Sequence, residues 1–499
     1  MVIKGLVDRA TLDFIFIFLV SMNIMSGILL IPYPLNLLLL AISSLKWRDP
    51  TPHTFFSSDE LPNITIQIPI YNESSIIKET IKSLANLIYP PPKVTIQFLD
   101  DSTDETTEII QNSIKILSEK GYTISIVRRS NREGFKAGAL SNGVKKITSE
   151  YIAMFDADFR INSNFLIDTI PYFKDNPNLG AIQTCWDHQN LNYSIFTRAM
   201  SIGLDGHFLV EKPGRKRKNA FIGFNGTGGI WRKSAIKKSG GWSSQTLAED
   251  LDLAYRAQIL GYEIIYLAQK KNYQEIPPTL RCWIIQQSRW SKGFSQNLRK
   301  NFKNFIFNKT KKSKIQGIIH LTQYFVPLLI VMNTVSGALI LFYPVNFSLI
   351  FSCFGIIYAL LTLCGIISYI IAILRAERGF FQIFFLPLFL FWGAGLVIRM
   401  SVGSISGLIS FGGKFERTPK FNLKDKNAQK LKSKEPIPID WILFPEILYI
   451  CILGLASLHA FQLGVNFLIQ AIYYLFIMFS LLNMVISEFS HAFLYNLSS

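Results

Sequence analysis

Apolar and polar positions divide the chain into zones. Residues 11–45 are almost uncharged and apolar, and similar stretches recur between 316 and 411 and between 441 and 489. A bilayer core takes ~20 apolar residues per helix, so these stretches predict membrane spans rather than buried core helices. From roughly 60 to 300 the pattern shortens. ITIQIPI (64–70) is a β-branched run, followed by YNESSIIKETIKSLANL with apolar positions at helical spacing. VTIQFLDD (94–101) predicts a second strand and a polar helix runs to residue 118. ISIVRRS (124–130) is a third strand, FKAGALSNGVKKI a helix, and YIAMF (151–155) a fourth strand. Strands joined by helices of this length imply right-handed crossovers and a parallel sheet, hence an α/β domain.

The 499 residues suffice for two or three domains. They read as an N-terminal anchor over 1–50, a globular domain over 60–300 and a membrane region over 300–499. The first apolar stretch is too long for a signal peptide and lacks a small-residue cleavage site. IPYP (31–34) either splits it or kinks it; Lys4 and Arg9 before it and Lys46 and Arg48 after it favour a hairpin with both ends cytoplasmic. Candidate spans follow at 316–343, 346–373, 441–461 and 464–488. Basic flanks on both sides of 380–411 favour interfacial or re-entrant helices there, with Gly393 and Gly395 at the bend.

The net charge of +17 sits in blocks at 212–218, 299–314 and 420–434. Two flank apolar spans, which favours lipid headgroups over nucleic acid as their partner and places the globular domain in the cytoplasm. Cys185, Cys282, Cys353, Cys364 and Cys451 show no metal spacing and suggest no disulfide.

In parallel sheets ligands bind at the carboxyl ends of the strands. There the sequence delivers Tyr71-Asn72-Glu73, then Asp100, Asp101 and Asp104, then Arg128, Arg129, Arg132 and Lys136, then Asp156 and Asp158. One such ending is ordinary turn chemistry. Four at one edge predict a polar pocket for a charged ligand. No glycine-rich dinucleotide fingerprint or P-loop follows the first strand.

IPIYNE, FLDDSTDET, KAGAL, FDADF, FNGTGGIWR, LAEDLDLAYRAQILGYEIIY and QQSRWSKG stand in the order and at about the spacing of the processive inverting glycosyltransferases of family 2. The chain resembles cellulose-synthase-like enzymes and plant (gluco)mannan synthases, over residues 60–300 by motif and beyond them by architecture. The resemblance implies a nucleotide-sugar-binding, Rossmann-like domain of the family A glycosyltransferase type between transmembrane helices. Asp156 and Asp158 are suited to a hard cation, Mg2+ or Mn2+, held jointly with a diphosphate. The expectation is that the two, at i and i+2 in extended chain, point to one side.

The resemblance places Tyr71, Glu73, Asp100 and Asp101 near the nucleoside and Lys136 near the nucleotide's diphosphate. Asp104 is read equally well as a helix cap. A sugar hydroxyl needs a general base, and the family pattern gives that role to Asp250, beside Glu249. Ala248 stands where a threonine is common, and Asp252 reads as a helix-face carboxylate. Arg289 suits the pyrophosphate as a bidentate donor, Trp290 offers a stacking face for the acceptor, and Gln286 completes that motif. Gly226, Gly228 and Gly229 permit close backbone approach along the acceptor site. The histidines of WDH (186–188) and GLDGHF, His188 and His207, read as structural.

FERTPK (415–420) resembles the gating loop of the synthases, whose pattern is Phe-x-Val-Thr-x-Lys. Phe415, Thr418 and Lys420 match, and Arg417 replaces the valine. The gating-like loop spans 412–438, with Thr418 and Lys420 toward the nucleotide.

The expected enzyme polymerises a β-linked glycan from a UDP- or GDP-hexose and passes it through a membrane channel. It would lie in the plasma membrane, or in the Golgi if the chain is eukaryotic. A non-processive enzyme glycosylating ceramide or diacylglycerol is the alternative, and a catalytically dead membrane receptor or transporter subunit the third reading. Membrane lipids are expected partners, nucleic acid is not, and an oligomer or accessory subunit is left open.

Overall fold

The computed structural model describes the backbone of residues 9–308, 312–343, 348–423 and 441–498. Lys4, most of the basic block at 420–434 and the end of the 412–438 loop lie outside the described residues.

Among the described residues, seven strands form one mixed sheet: β1 (Ile64–Ile70), β2 (Val94–Asp100), β3 (Thr123–Val127), β4 (Tyr151–Met154), β5 (Leu179–His188), β6 (Gly229–Arg232) and β7 (Glu263–Gln274). Their spatial order is β3-β2-β1-β4-β6-β5-β7. The four strands expected from the sequence are all present and mutually parallel. β6 runs antiparallel to both β4 and β5, which makes the sheet mixed rather than wholly parallel. In-register pairing of Ile64 with Val94 and of Ile70 with Asp100 brings the carboxyl ends of β1 and β2 level. Helices cover both faces, so Ile64, Ile66 and Ile68 on one face and Thr65 and Gln67 on the other are equally buried. The buried Gln67 and Gln97 meet across the strands, Nε2 of the first donating to Oε1 of the second at 2.8 Å, which leaves Gln67 Oε1 without a partner.

Among the described residues, five helices have the length and apolarity to cross a membrane: Ala10–Ser44, Lys314–Ile340, Gly355–Arg375, Leu443–Gln462 and Leu468–Phe489. The N-terminal hairpin expected from IPYP does not form. Ile31 keeps helical dihedrals (φ −51°, ψ −47°), and Arg9–Leu30 and Pro32–Ser44 follow one another as a single candidate span. Pro32 opens the second helix, where its missing N–H costs nothing, so the prolines punctuate the helix without reversing it. The stretch 380–411 is bent by 50° between Phe380–Gly395 and Val397–Ile409, beside Gly395 as expected. Inside the membrane region Arg399 Nε pairs with Glu446 Oε1 at 2.9 Å, and its Nη2 with Glu488 Oε2 at 2.6 Å, tying three helices together.

The basic block at 212–218 is buried in its first half and exposed only at Arg217 and Lys218. Lys212 and Arg215 are buried, and Gly214 packs on the backbone of Leu40 in the N-terminal span. The globular domain is docked on the membrane helices through this segment and through the helix Leu280–Phe307. That 28-residue helix lies against Val397–Ile409, with Gly403 and Gly407 abutting Ser291 and Lys292.

Candidate active site

The site is built on the carboxyl edge of β1, β2 and β4. β4 ends at Met154, and the chain turns at once: the Phe159 N–H donates to the Asp156 carbonyl at 3.1 Å. Asp156 and Asp158 therefore sit in a tight turn and not in extended chain, and each engages its own lysine. Lys136 Nζ lies 2.6 Å from Asp156 Oδ1, and Lys420 Nζ lies 2.6 Å from Asp158 Oδ2. The Asp156 N–H donates to Thr227 Oγ1 at 2.9 Å, which fixes the turn against the glycine-rich segment.

Lys136 reaches this point from the helix Phe135–Lys145 and also donates to the Gly226 carbonyl at 3.1 Å. Burial alone would lower its pKa; Asp156, Glu249 and Asp250 around it reverse that, and the ammonium is held above its usual range. Gly226 adopts φ +72°, and a Cβ there would lie 2.8 Å from Asp250 Oδ2 and 3.1 Å from Lys136 Nζ. Gly226 thus brings Asp156, Lys136 and Asp250 into one small space.

Glu249 and Asp250 open the helix Glu249–Ile259, where the exposed N–H groups of the first turn favour negative charge. The Leu251 N–H donates to Asp250 Oδ1 at 2.8 Å. Burial pushes both carboxyls up, Glu249 to about 7 with its neighbour's charge adding to the effect, while Lys136 and Arg289 restrain Asp250. Asp252 turns away into a structural network, with Arg256 Nη2 at 2.7 Å and Lys300 Nζ at 3.0 Å.

Arg289 approaches from the helix Leu280–Phe307, its guanidinium 4.4 Å from the Phe415 ring centroid, with Glu249 and Asp156 contributing most to its electrostatic surroundings. Gln286 is buried one turn earlier, and Trp290 packs at the edge of an apolar cluster that also includes Phe196, Trp392 and Leu396.

The segment carrying Phe415 to Leu423 lies over the same edge. Arg417 Nη1 donates to the carbonyls of Tyr71 (2.9 Å) and Asn72 (2.7 Å) and pairs with Glu73 Oε1 at 2.6 Å. Burial raises Glu73 to about 7, with Arg417 opposing. Thr418 is buried, and Lys420 also donates to the Glu275 carbonyl at 3.0 Å. Sequence reading treated Arg417 as a departure from the gating pattern and gave Glu275 no role; their contacts span more than 140 residues of chain, which no local pattern discloses.

The β2 and β3 endings cancel one another. Asp100 is fully buried and receives Ser102 N–H (2.9 Å), Thr107 Oγ1 (2.7 Å) and Arg128 Nη1 (2.8 Å). Arg129 holds Asp101 with two nitrogens, Nε at 3.0 Å, and Arg132 stacks on the Tyr71 ring with 3.2 Å to its centroid. Asp104 accepts from the Thr106 N–H at 3.0 Å and caps the turn before its helix. Of the acids after β2, Asp101 is thus the one paired on the pocket side beside Tyr71 and Arg132, while Asp100 organises the loop.

Buried side-chain polar atoms normally find partners. Among the described residues, atoms without a hydrogen-bond partner include Glu73 Oε2, Arg132 Nε, Asn225 Oδ1, Gln286 Oε1, Arg289 Nε and Thr418 Oγ1, all at this edge. These atoms are donors and acceptors that a polar ligand could engage. The two carboxylates of the β4 turn are hard oxygen donors of the kind a divalent cation takes; each is paired with a lysine that a bound cation would have to displace, and among the described residues they belong to no cluster of three or more metal-ligating side chains.

The geometry makes one local prediction. Alanine at Gly226 would meet both the left-handed backbone and the Asp250 carboxylate, and a displacement of that size at reacting groups costs about 10²-fold. Gly226→Ala should therefore lower kcat/KM by that order while the thermal midpoint, measured alongside, moves by only a few degrees.

Known proteins resemble the chain at the level of family and fold. The glycosyl transferase family 2 profile matches residues 65–240. The chain is 41% identical over 254 residues to a probable glucomannan 4-beta-mannosyltransferase 2 of Oryza sativa subsp. japonica, covering 50% of this chain and 44% of that protein. It is 40% identical over 252 residues to glucomannan 4-beta-mannosyltransferase 9 of Arabidopsis thaliana, covering 50% and 47%. The matched region thus spans about half the length of these curated relatives. Among solved structures, a mannosyltransferase from Pyrobaculum calidifontis, in complex with GDP-Man and Mn2+, superposes with TM-score 0.52 at 19% identity, covering 72% of this chain and 98% of that one, and so shares the fold. Residues 65–240 are a glycosyl transferase family 2 domain, set in a chain that also carries membrane-length helices.

Proposed function

We propose that this chain is a multi-pass membrane glycosyltransferase that transfers a hexose, with inversion, from a nucleotide-sugar to a growing β-glycan. The observation that carries the reading is the convergence of Asp250, Lys136 and Asp156 on Gly226, with Arg289 above and Lys420 on Asp158. Asp250 removes the proton from the attacking sugar hydroxyl. Its raised pKa matches it to that task better than an ordinary surface carboxylate would be. Glu249, pushed to about 7, keeps a proton more readily and spares Asp250 a second full negative charge alongside.

Lys136 and Arg289 face the departing diphosphate, and Tyr71, Glu73 and Asp101 face the nucleoside. Asp156 and Asp158 would hold the divalent cation, Mg2+ or Mn2+, which when bound offsets the charge developing on the leaving group. Gln286, Trp290 and Gly226 border the acceptor. The segment Phe415–Lys420 acts as the gate, with Thr418 and Lys420 toward the nucleotide and Arg417 as its tether to the β1 end. A mannosyl donor is favoured by the glucomannan mannosyltransferases among the relatives and by the GDP-mannose bound to the fold neighbour. The catalytic domain faces the cytoplasm, where nucleotide-sugars are available, and the product leaves through the membrane helices.

The test is incubation of membranes carrying the full chain with radiolabelled GDP-mannose and UDP-glucose. The expected product is a polymer retained on size exclusion and degraded by a β-mannanase or β-glucanase. A product extracted wholly into chloroform would overturn polymer synthesis in favour of glycolipid synthesis.

A further inference from the structure

The helix beginning at Ile195 widens over Gly206–Glu211 into a π-helical turn, a feature often found at functional sites. This turn and the residue after it grip the segment leading into Gly226. Lys212 Nζ, itself buried, donates to the Gly223 carbonyl at 2.6 Å. His207 Nε2 lies 3.2 Å from Asn225 Nδ2, and His207 Nδ1 lies 2.9 Å from Glu211 Oε2. Glu211 Oε1 is in turn held by Arg215 Nη2 at 2.9 Å.

The donor and acceptor roles in this chain of contacts follow from its far end. A carboxylate paired with arginine only accepts, so His207 Nδ1 carries a proton; with a single proton on the ring, His207 Nε2 is then the acceptor that faces the Asn225 amide nitrogen. The Asn225 N–H meanwhile donates to Gln183 Oε1 at 2.9 Å. With its nitrogen committed to His207, Asn225 is left with a buried carbonyl oxygen that has no partner, one residue from the glycine that touches Asp250.

We propose that His207 is a positioning residue for the acceptor: backed by Glu211, it fixes the Asn225 amide so that Oδ1 accepts a hydrogen bond from a hydroxyl of the acceptor sugar beside Asp250. The hydroxyl bound by Asn225 is a neighbour of the attacking one, so the contact sets the ring's orientation rather than moving its proton. The inference rests on the reading of Asp250 as the base. That reading fails separately, in Asp250→Asn, and its failure leaves the comparison of acceptor with donor constants below intact.

The experiment uses the full chain in membranes, with GDP-mannose as donor and β-1,4-mannotetraose as acceptor. His207→Ala should raise the acceptor KM about tenfold, the effect of roughly one lost hydrogen bond, with the donor KM and GDP affinity unchanged. His207→Gln, whose amide oxygen can still accept from Asn225, should restore part of the loss and carries the test if the alanine variant fails to bind GDP. His207→Ala/Asn225→Ala should be no worse than Asn225→Ala alone. An unchanged acceptor KM in both His207 variants, an equal rise in donor KM, or multiplicative losses in the double variant would each overturn the proposal.

Discussion

Asp250→Asn is expected to lower transfer by about 10²–10⁴-fold, the range for removing a general base, while donor affinity stays within a few-fold of the parent chain. Asparagine is nearly isosteric with aspartate, and its Oδ1 can still accept from the Leu251 N–H, so the helix start survives the change. What disappears is the proton acceptor. The pH dependence separates this from a structural role. Burial raises Asp250, so its ionised form, the one that acts as base, is lost as pH falls through a value above the ordinary ~3.9 of aspartate. The acid limb of kcat should lie correspondingly high in the parent chain. Lys136 favours the ionised form, and Lys136→Met should move that limb higher still. Steady-state transfer rates with GDP binding measured in parallel check both statements. An asparagine variant turning over at a near-normal rate would remove Asp250 from the mechanism.

Much of this arrangement could be read along the chain because β1, β2, β3 and β4 are short β-branched or apolar runs ended by charge. Ile64–Ile70 falls where its pattern put it. β5, β6 and β7 were harder. Leu179–His188 is buried along its whole length and so shows no alternation, Gly229–Arg232 is four residues inside a glycine-rich motif, and Glu263–Gln274 carries two lysines. Their pairing depends on contacts distant in sequence, which also decides that β6 is antiparallel.

The misread hairpin has a physical origin. Proline marks a helix break only when its N–H was needed, and at the first turn it was not. The acidic site residues were legible because their motifs are dense. Their partners were not: Arg128 meets Asp100, and Arg417 meets Glu73, only through sheet register and tertiary docking. For the same reason the turn at Asp156–Phe159, which separates the surroundings of its two carboxylates, was hidden by a spacing that suits extended chain equally well. His207 gave no sequence signal beyond its rarity; its role emerges from a π-helical turn and an amide whose oxygen is unpartnered.

The second large effect concerns that turn. Asp156→Asn and Asp158→Asn each remove a hard oxygen donor and leave Lys136 or Lys420 without its carboxylate. Stabilisation of a leaving diphosphate by a divalent cation amounts to several kcal/mol, and each ~1.4 kcal/mol is tenfold in rate, so losses of about 10³-fold or more are expected. Surplus Mn2+ should recover less in either variant than in the parent chain, because the deficit lies in the ligands rather than in supply. Membranes containing the parent chain, depleted of divalent ions with EDTA and then resupplied with Mn2+ or Mg2+ while label from GDP-mannose is followed into product, test the site most directly. Transfer should vanish on chelation and return on resupply, with neither Asp156→Asn nor Asp158→Asn regaining the parent rate. Label incorporated at an undiminished rate after chelation, or by both variants, would contradict a cation held by this acidic turn.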